Sequence, residues 1–589
     1  MKLRFSTPLI TAFAALLLLA SCSKTNKEGR MVPKEAGFVL HINSKSIFEK
    51  LNVAELKQTD WYKQMMEELH KDSAAPEFAK KLHENLSTSG IDSTADMIIF
   101  GQKGTNDRMN VVFEGGLRDA TMFETFLKNI YPKGSVVKDG ETQSMAIMDH
   151  AVVTWDKEKF AMGILSPEMG RGMHDMGRPD FDSMPGGPRV PDNSVVNTES
   201  PDLAEITMYC KNLFTLKEDN SLSKDEKFTD LMKTEGDIHA YISIDNLIGG
   251  ADLPLGMLSM IKLDAFTKGN IATYTANFDK GKITVKARNY MGKELSDLVK
   301  KYSGGKVNTD MIKNIPSENV VGVFAFHFKP EGLKELVKLS GVGPIIDLML
   351  MRQGGFGVDD FVKANKGDVL LLFSDLKMKT DSTVNVDAKG KKQKPIVFSE
   401  PDVKVLFSAA IDNKEAFNKL ISIGKTMSES ENDKMHYKTN DKYFAIGNDA
   451  TMVDQYIAGG NHNQPFLDKI SGNAIGGFAD IQRILKAVEP GAGKDSLDKQ
   501  MWSESVKMWD NAVLTGGDYS GGGYNQQFEL NLMDKNTNSL KQLFQYTMTM
   551  SAIENKRVKK IGAEYNLHFP EVDSTKTKMP PPPSKKKKK

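Results

Sequence analysis

The sequence predicts an α+β protein made of two tandem homologous halves, each a mainly antiparallel sheet flanked by helices. Three observations carry that expectation. Strand-like alternation passes into helical spacing at "AGFVLHINSKSIFEKL" (36–51) and again at "VVGVFAFHFKPEGLKELVKL" (320–339). Glycine-containing turns join neighbouring strands, and hairpin connections make antiparallel sheets. The same kinds of element also recur in one order along two stretches of the chain.

Length and composition set the frame. A chain of 589 residues is too long for one ordinary core. At 40% apolar and 26% charged residues, its bulk can bury sizeable cores rather than remain disordered. A balanced net charge of +1 gives no electrostatic footprint for nucleic acid, so nucleic acid is excluded as a partner.

Residues 1–21 read as a secretory signal peptide. "MKLRFSTPLITAFAALLLLASC" runs from two basic residues through an apolar stretch, too short to span a membrane, to small residues before a cysteine. Leu19-Ala20-Ser21-Cys22 matches the lipobox of bacterial lipoproteins, with cleavage between Ser21 and Cys22 and lipidation of Cys22. Two or three acyl chains anchor durably where one does not. Residues 22–31 are a short polar tether. Ser23 stands where an aspartate would retain a lipoprotein in the inner membrane, so the outer membrane is the expected address. Periplasmic and surface-facing placements both remain open. The second of the chain's two cysteines, Cys210, then has no partner within the chain, and a disulfide scaffold is excluded.

The first half is expected over 32–303 and the second over 304–552. In the opening pair, Phe38, Leu40 and Ile42 alternate as do Phe324, Phe326 and Phe328, and His41 and His327 fall at the same point. Ser44 is the expected N-cap of the following helix in the first copy, and Pro330 the first-turn residue in the second. "VVFEGGLRDATMFETFL" (111–127) aligns without a gap with "VLFSAAIDNKEAFNKLI" (405–421), where Asp412 and Glu415 form a capping-box pattern. "DKEKFAMGI" (156–164) matches "DKYFAIGND" (441–449). Strand, turn, strand and helix over 273–302 match 515–546. Two similar halves meeting in a crevice make that crevice the default place for a ligand.

Residues 166–202, rich in Pro, Gly and polar types, read as a long mobile loop of the first half. Residues 553–589 read as a C-terminal extension ending in Pro580–Pro583 and Lys585–Lys589. Removing Lys2 and Arg4 with the signal peptide, and setting the tail lysines apart, leaves a mildly acidic body. The lysine tail could contact anionic glycans or could simply be solvated.

Catalytic and metal motifs are sparse. There is no H-E-x-x-H, C-x-x-C or calcium loop, and no cofactor is implied. "ISIGKT" (421–426) lacks the glycine a phosphate-binding loop needs, because position 419 is lysine. Ser221 to Lys224 imitates S-x-x-K without a companion motif. The methionines around His174 could bind Cu(I), but the chain has 32 methionines and the loop fixes no geometry. His41 and His327 read as half-buried strand residues. "GGDYSGGGYN" (516–525) reads as an enlarged hairpin turn rather than a sugar platform. Aspartate-serine triplets at Ser73, Ser93, Ser183, Ser382, Ser496 and Ser574 match a degenerate O-glycosylation pattern expected on surface loops.

The lipobox, "VPKEAGFVLHINSKSIFEKL" and its echo "IPSENVVGVFAFHFKPEGLKELVKL" resemble a large bacterial lipoprotein family of unknown function from Gram-negative anaerobes. The resemblance implies the envelope location and the duplicated layout over nearly the whole mature chain, and it carries no catalytic residues. The leading expectation is a non-enzymatic envelope binding or scaffolding module, partnered by the membrane through its N-terminus and by an envelope protein or anionic glycan. A hydrolase of envelope polymers, or a lipid or peptide carrier using the crevice, are the alternatives.

Overall fold

The computed structural model describes residues 28–51, 63, 86–104, 108–166, 200–248, 262, 264–346, 357–383, 396–427, 435–489 and 495–564. Its centre is one antiparallel sheet of eighteen strands, accompanied by helices. The strands of the first part are β1 (Ala36–Ile42), β2 (Met97–Lys103), β3 (Met109–Gly116), β4 (Val136–Asp139), β5 (Thr142–Met148), β6 (Ala151–Trp155), β7 (Lys159–Leu165), β8 (Ile238–Ser243), β9 (Ile271–Asp279) and β10 (Lys282–Tyr290). Those of the second are β11 (Val320–His327), β12 (Asn365–Thr383), β13 (Ile396–Ile411), β14 (His436–Thr439), β15 (Tyr443–Gly447), β16 (Ile475–Ala479), β17 (Trp509–Ser520) and β18 (Gly523–Leu532).

The pairings of the first part run β7, β3, β2, β1, β8, β9, β10. Those of the second run β15, β13, β12, β11, β16, β17, β18. β10 and β18 pair with each other from Lys282↔Asn531 to Asn289↔Tyr524, and this seam makes the sheet continuous. Beyond β7 the first part is extended by β6, β5 and β4 in turn, and beyond β15 the second is extended by β14.

β1 is apolar on both faces because both are covered. Leu40 and Ile42 join Phe123, Trp155 and Leu540 in one core, while Val39 joins Phe100, Cys210, Phe228 and Tyr241 in the other. Trp155, Phe123 and Phe228 are fully buried. A core on one face of the second part gathers Val323, Leu372, Leu406, Tyr456 and Phe466. Two terminal helices tie the parts together. Leu540 of the helix Ser539–Glu564, which follows β18, enters a first-part core. Tyr302, ending the helix Lys293–Tyr302 after β10, lies where a Cβ on Gly332 would meet its own Cβ at 2.7 Å. The last helix continues past position 552 because its apolar face stays engaged, with Ile553 buried.

Helix starts differ from the sequence expectation at two places. The Asn43 side chain accepts from the Ser46 amide, and Ser44 instead donates its hydroxyl to the Ile42 carbonyl. Asn413 likewise accepts from the Ala416 amide, so it caps the helix Lys414–Met427 in place of Asp412. In each case the Asn one position away reaches the third amide of the helix, as a capping side chain must. Pro330 does open its helix. "GGDYSGGGYN" forms the end of the β17–β18 hairpin, with Gly521 and Gly522 both at positive φ (57° and 77°). Its extra residue lies in a bulge between Gly516 and Asp518, so the turn itself is a tight two-residue one.

Cys210 is fully buried, and its Sγ would sit 2.3 Å from a Cβ on Gly163. Burial pushes its thiol up to about 12, far from the thiolate form that reacts. In a chain carrying Cys22→Ala, a thiol reagent at pH 8 should label nothing under native conditions and one thiol in guanidinium. Rapid native labelling would contradict this packing.

Candidate functional site

The two parts meet over the β10–β18 seam, and one face of that seam is a polar groove of about 290 Å³. Directly opposed residues of antiparallel strands share a face. His41, His239, Thr275, Lys286, Gln527 and Thr515 therefore form one row crossing six strands. Thr273, Arg288 and Asn525 make the adjacent row. The groove occupies the middle of both rows, walled by Asp230 and Thr234 on one side and Asn473 on the other.

Its charges are unequally satisfied. Asp230 accepts from Lys233 at 3.2 Å, and Asp518 accepts from Ser520 at 2.8 Å. Arg288 donates its Nε–H to Asn525 at 2.9 Å, while its terminal guanidinium nitrogens have no protein acceptor among the described residues. Lys286 is exposed and has no carboxylate partner among the described residues. The groove thus offers two cations, amides and hydroxyls to a polar, preferably anionic, guest. A larger groove of about 560 Å³ beside Asp375 differs, since its charges are spent on each other: Lys404 on Asp449 at 3.2 Å, Lys377 on Asp402 at 3.5 Å.

The buried end of the polar row is a histidine pair. His41 and His239 are each 3% exposed, with Nδ1 facing Nδ1 at 3.1 Å. His239 donates its Nε2–H to the Thr234 carbonyl at 2.8 Å, and burial pushes its imidazole below the usual histidine range. His41 Nε2 lies 3.2 Å from Asp96 Oδ2, and the Ser44 amide donates to Asp96 Oδ1. Glu28 completes the group: one ligand atom from each of Glu28, His41 and Asp96 lies within 4.8 Å of the others. Partial desolvation raises the Glu28 carboxyl, His41 opposes that, and Asp96 adds to it.

His327 also finds a carboxylate on the neighbouring strand, donating Nδ1–H to Asp368 Oδ1 at 2.8 Å. Asn308 donates to the other oxygen of Asp368 at 3.2 Å. Sequence reasoning placed both histidines on equivalent strands but missed the two aspartates. The signal was there: "DMIIF" at 96–100 and "DVLLLF" at 368–373 both set an aspartate directly before an apolar run.

On the opposite face, Phe407, Leu371, Phe324, Gly477, Leu514 and Phe528 form an apolar row. Phe324, Phe407 and Phe528 are 38%, 39% and 40% exposed, unusual for side chains in a sheet interior.

Ser21, Cys22, Ser73, Ser183, Ser574, nearly all of the loop over 166–202 and the lysine tail lie outside the described residues. Ser93 is in a half-buried turn. Ser382 and Ser496 are exposed, the first in the outer part of β12 rather than in a loop, the second opening the helix Ser496–Met508. Ser221 hydrogen-bonds Ser223 at 2.6 Å, and Lys224 pairs with Glu218 at 3.2 Å, so that motif assembles no nucleophile and base. No family model, no curated protein and no solved structure matches the chain.

Proposed function

We propose that this protein is an envelope lipoprotein, held at a membrane through Cys22, that acts as a non-enzymatic binding module for an anionic glycan. The observation that carries the binding assignment is the seam groove, where Lys286 and the terminal guanidinium nitrogens of Arg288 have no carboxylate partner among the described residues and stand among amide and hydroxyl groups. We also infer that the two parts are copies of one unit. The repeated pairing series, the His–Asp pairs on equivalent strands and the caps Asp119 and Asn413, which take matched positions in the aligned stretches 111–127 and 405–421, support that reading. Under it the groove lies at the junction of the copies.

The test uses the full chain in detergent, with lipopolysaccharide oligosaccharide and acidic peptidoglycan fragments as probes. The double variant Lys286→Ala/Arg288→Ala should weaken the best of these by tenfold or more, since a charge-assisted hydrogen bond contributes about 1.5–3 kcal/mol. Unchanged affinity for every probe sinks the assignment. The exposed row at Phe324 and Phe528 supports a second reading, carriage of a lipid or peptide on the opposite face. It predicts binding of an acyl-chain fluorophore that Phe324→Ser and Phe528→Ser abolish.

A further inference from the structure

The structure assigns a divalent transition-metal site, suited to Zn²⁺, to Glu28, His41 and Asp96, where the segment ahead of β1 meets the starts of the helix Ser44–Leu51 and of β2. The donor set is one imidazole nitrogen and two carboxylates, the mixed N/O chemistry that Zn²⁺ accepts with a fourth position left for water. At ordinary Zn–N and Zn–O lengths, two ligands of a tetrahedral ion lie about 3.3 Å apart. His41 Nε2 and Asp96 Oδ2 are already 3.2 Å apart. Glu28 is exposed, so its carboxylate can close the remaining gap.

The surroundings orient these atoms as a metal requires. His239 donates Nε2–H to the Thr234 carbonyl, so a neutral His239 presents a bare Nδ1. His41 must then donate its Nδ1–H across the 3.1 Å contact. That leaves the His41 Nε2 lone pair facing Asp96, an acceptor facing an acceptor. Either a second proton or a cation has to occupy the space between them. Metal-ligating histidines characteristically donate their other ring N–H to a fixed partner in this way. Asp96 is held too, by the Ser44 amide on its other oxygen. The corresponding pair in the second part shows the contrast. There His327 donates to Asp368 and Asn308 donates to its other oxygen, so each carboxylate oxygen already accepts a hydrogen bond. A bound ion would staple residue 28 to β1 and β2, fixing how the chain enters the fold.

The experiment is calorimetric titration of Zn²⁺ into the full chain in detergent after EDTA treatment and dialysis. One equivalent should bind, and Ca²⁺ in excess should not displace it. Glu28→Gln and Asp96→Asn should each weaken that binding by tenfold or more. Both replaced groups are at least one-third exposed, so these variants should fold, with thermal melting as the check. Should Zn²⁺ bind equally well to both variants, bind to none of the chains, or be displaced by Ca²⁺, the site as assigned does not exist. If only Asp96→Asn weakens binding, the three-ligand set is overturned.

Discussion

Replacing Cys22 with alanine is expected to move the full-length protein from the membrane pellet into the soluble fraction. Each methylene buried in a bilayer contributes about 0.8 kcal/mol, and a single myristoyl-length chain gives an association constant of only about 10⁴ M⁻¹. Under the proposed lipidation a second and third chain would convert that marginal binding into stable attachment, and all of it would depend on the Cys22 sulfur and the amine beside it. Among the described residues no helix is long and apolar enough to cross a membrane. Lys585–Lys589 offer a second route to the surface, but attraction between exposed charges fades when the Debye length shrinks to about 3 Å in 1 M salt. The decisive measurement is sedimentation before and after a high-salt wash. A Cys22→Ala protein that still pellets after the wash has an anchor other than the acyl chains.

The second large effect is on stability. Asp237, 1% exposed, gathers three donors where the helix Ser44–Leu51 meets β8 and β9. Its Oδ2 accepts from Lys50 Nζ at 2.7 Å and from the Phe278 amide at 2.6 Å, and its Oδ1 accepts from the Ser46 hydroxyl at 2.5 Å. Asp237→Ala leaves the Phe278 amide without its acceptor and strands a Lys50 side chain that is only 25% exposed. Breaking a buried pair by removing one partner costs about 3–5 kcal/mol, and the partial exposure of Lys50 places this case near 3. Asp237→Asn keeps an acceptor for Phe278 but loses the charge, so about 1–3 kcal/mol is expected. Urea unfolding of both variants measures the difference. A loss under about 1 kcal/mol for the alanine variant would mean that water replaces the carboxylate at no great cost.

How legible was this in the sequence? Elements governed by local periodicity were readable. The strand at 36–42, the hairpin at 273–290 and the helices near 120–130 and 414–427 follow from residue spacing and turn chemistry, which act over a few positions. Caps were readable only to within a residue: the serine at 44 and the aspartate at 412 are good cap types, and only backbone direction shows that Asn43 and Asn413 reach the amides. The histidines were visible as a recurring position, while their acids were not. Asp96 lies 55 residues from His41 and Asp368 lies 41 from His327, beyond any spacing rule. Glu28 and His239 reach the same cluster from two further segments.

By itself, then, the sequence determined the class of the fold, the antiparallel hairpins, the order of elements in the two stretches and the absence of a disulfide framework, because each depends on local pattern or composition. Only the tertiary structure decided that β10 pairs with β18 across 237 residues at Arg288 and Asn525, that the last helix packs into the first part, and that Lys286 and Arg288 line the seam with no carboxylate partner among the described residues. The reason is physical. Edge strands will accept any partner that offers complementary backbone groups, and which partner arrives is settled by the helices and cores that cover each face.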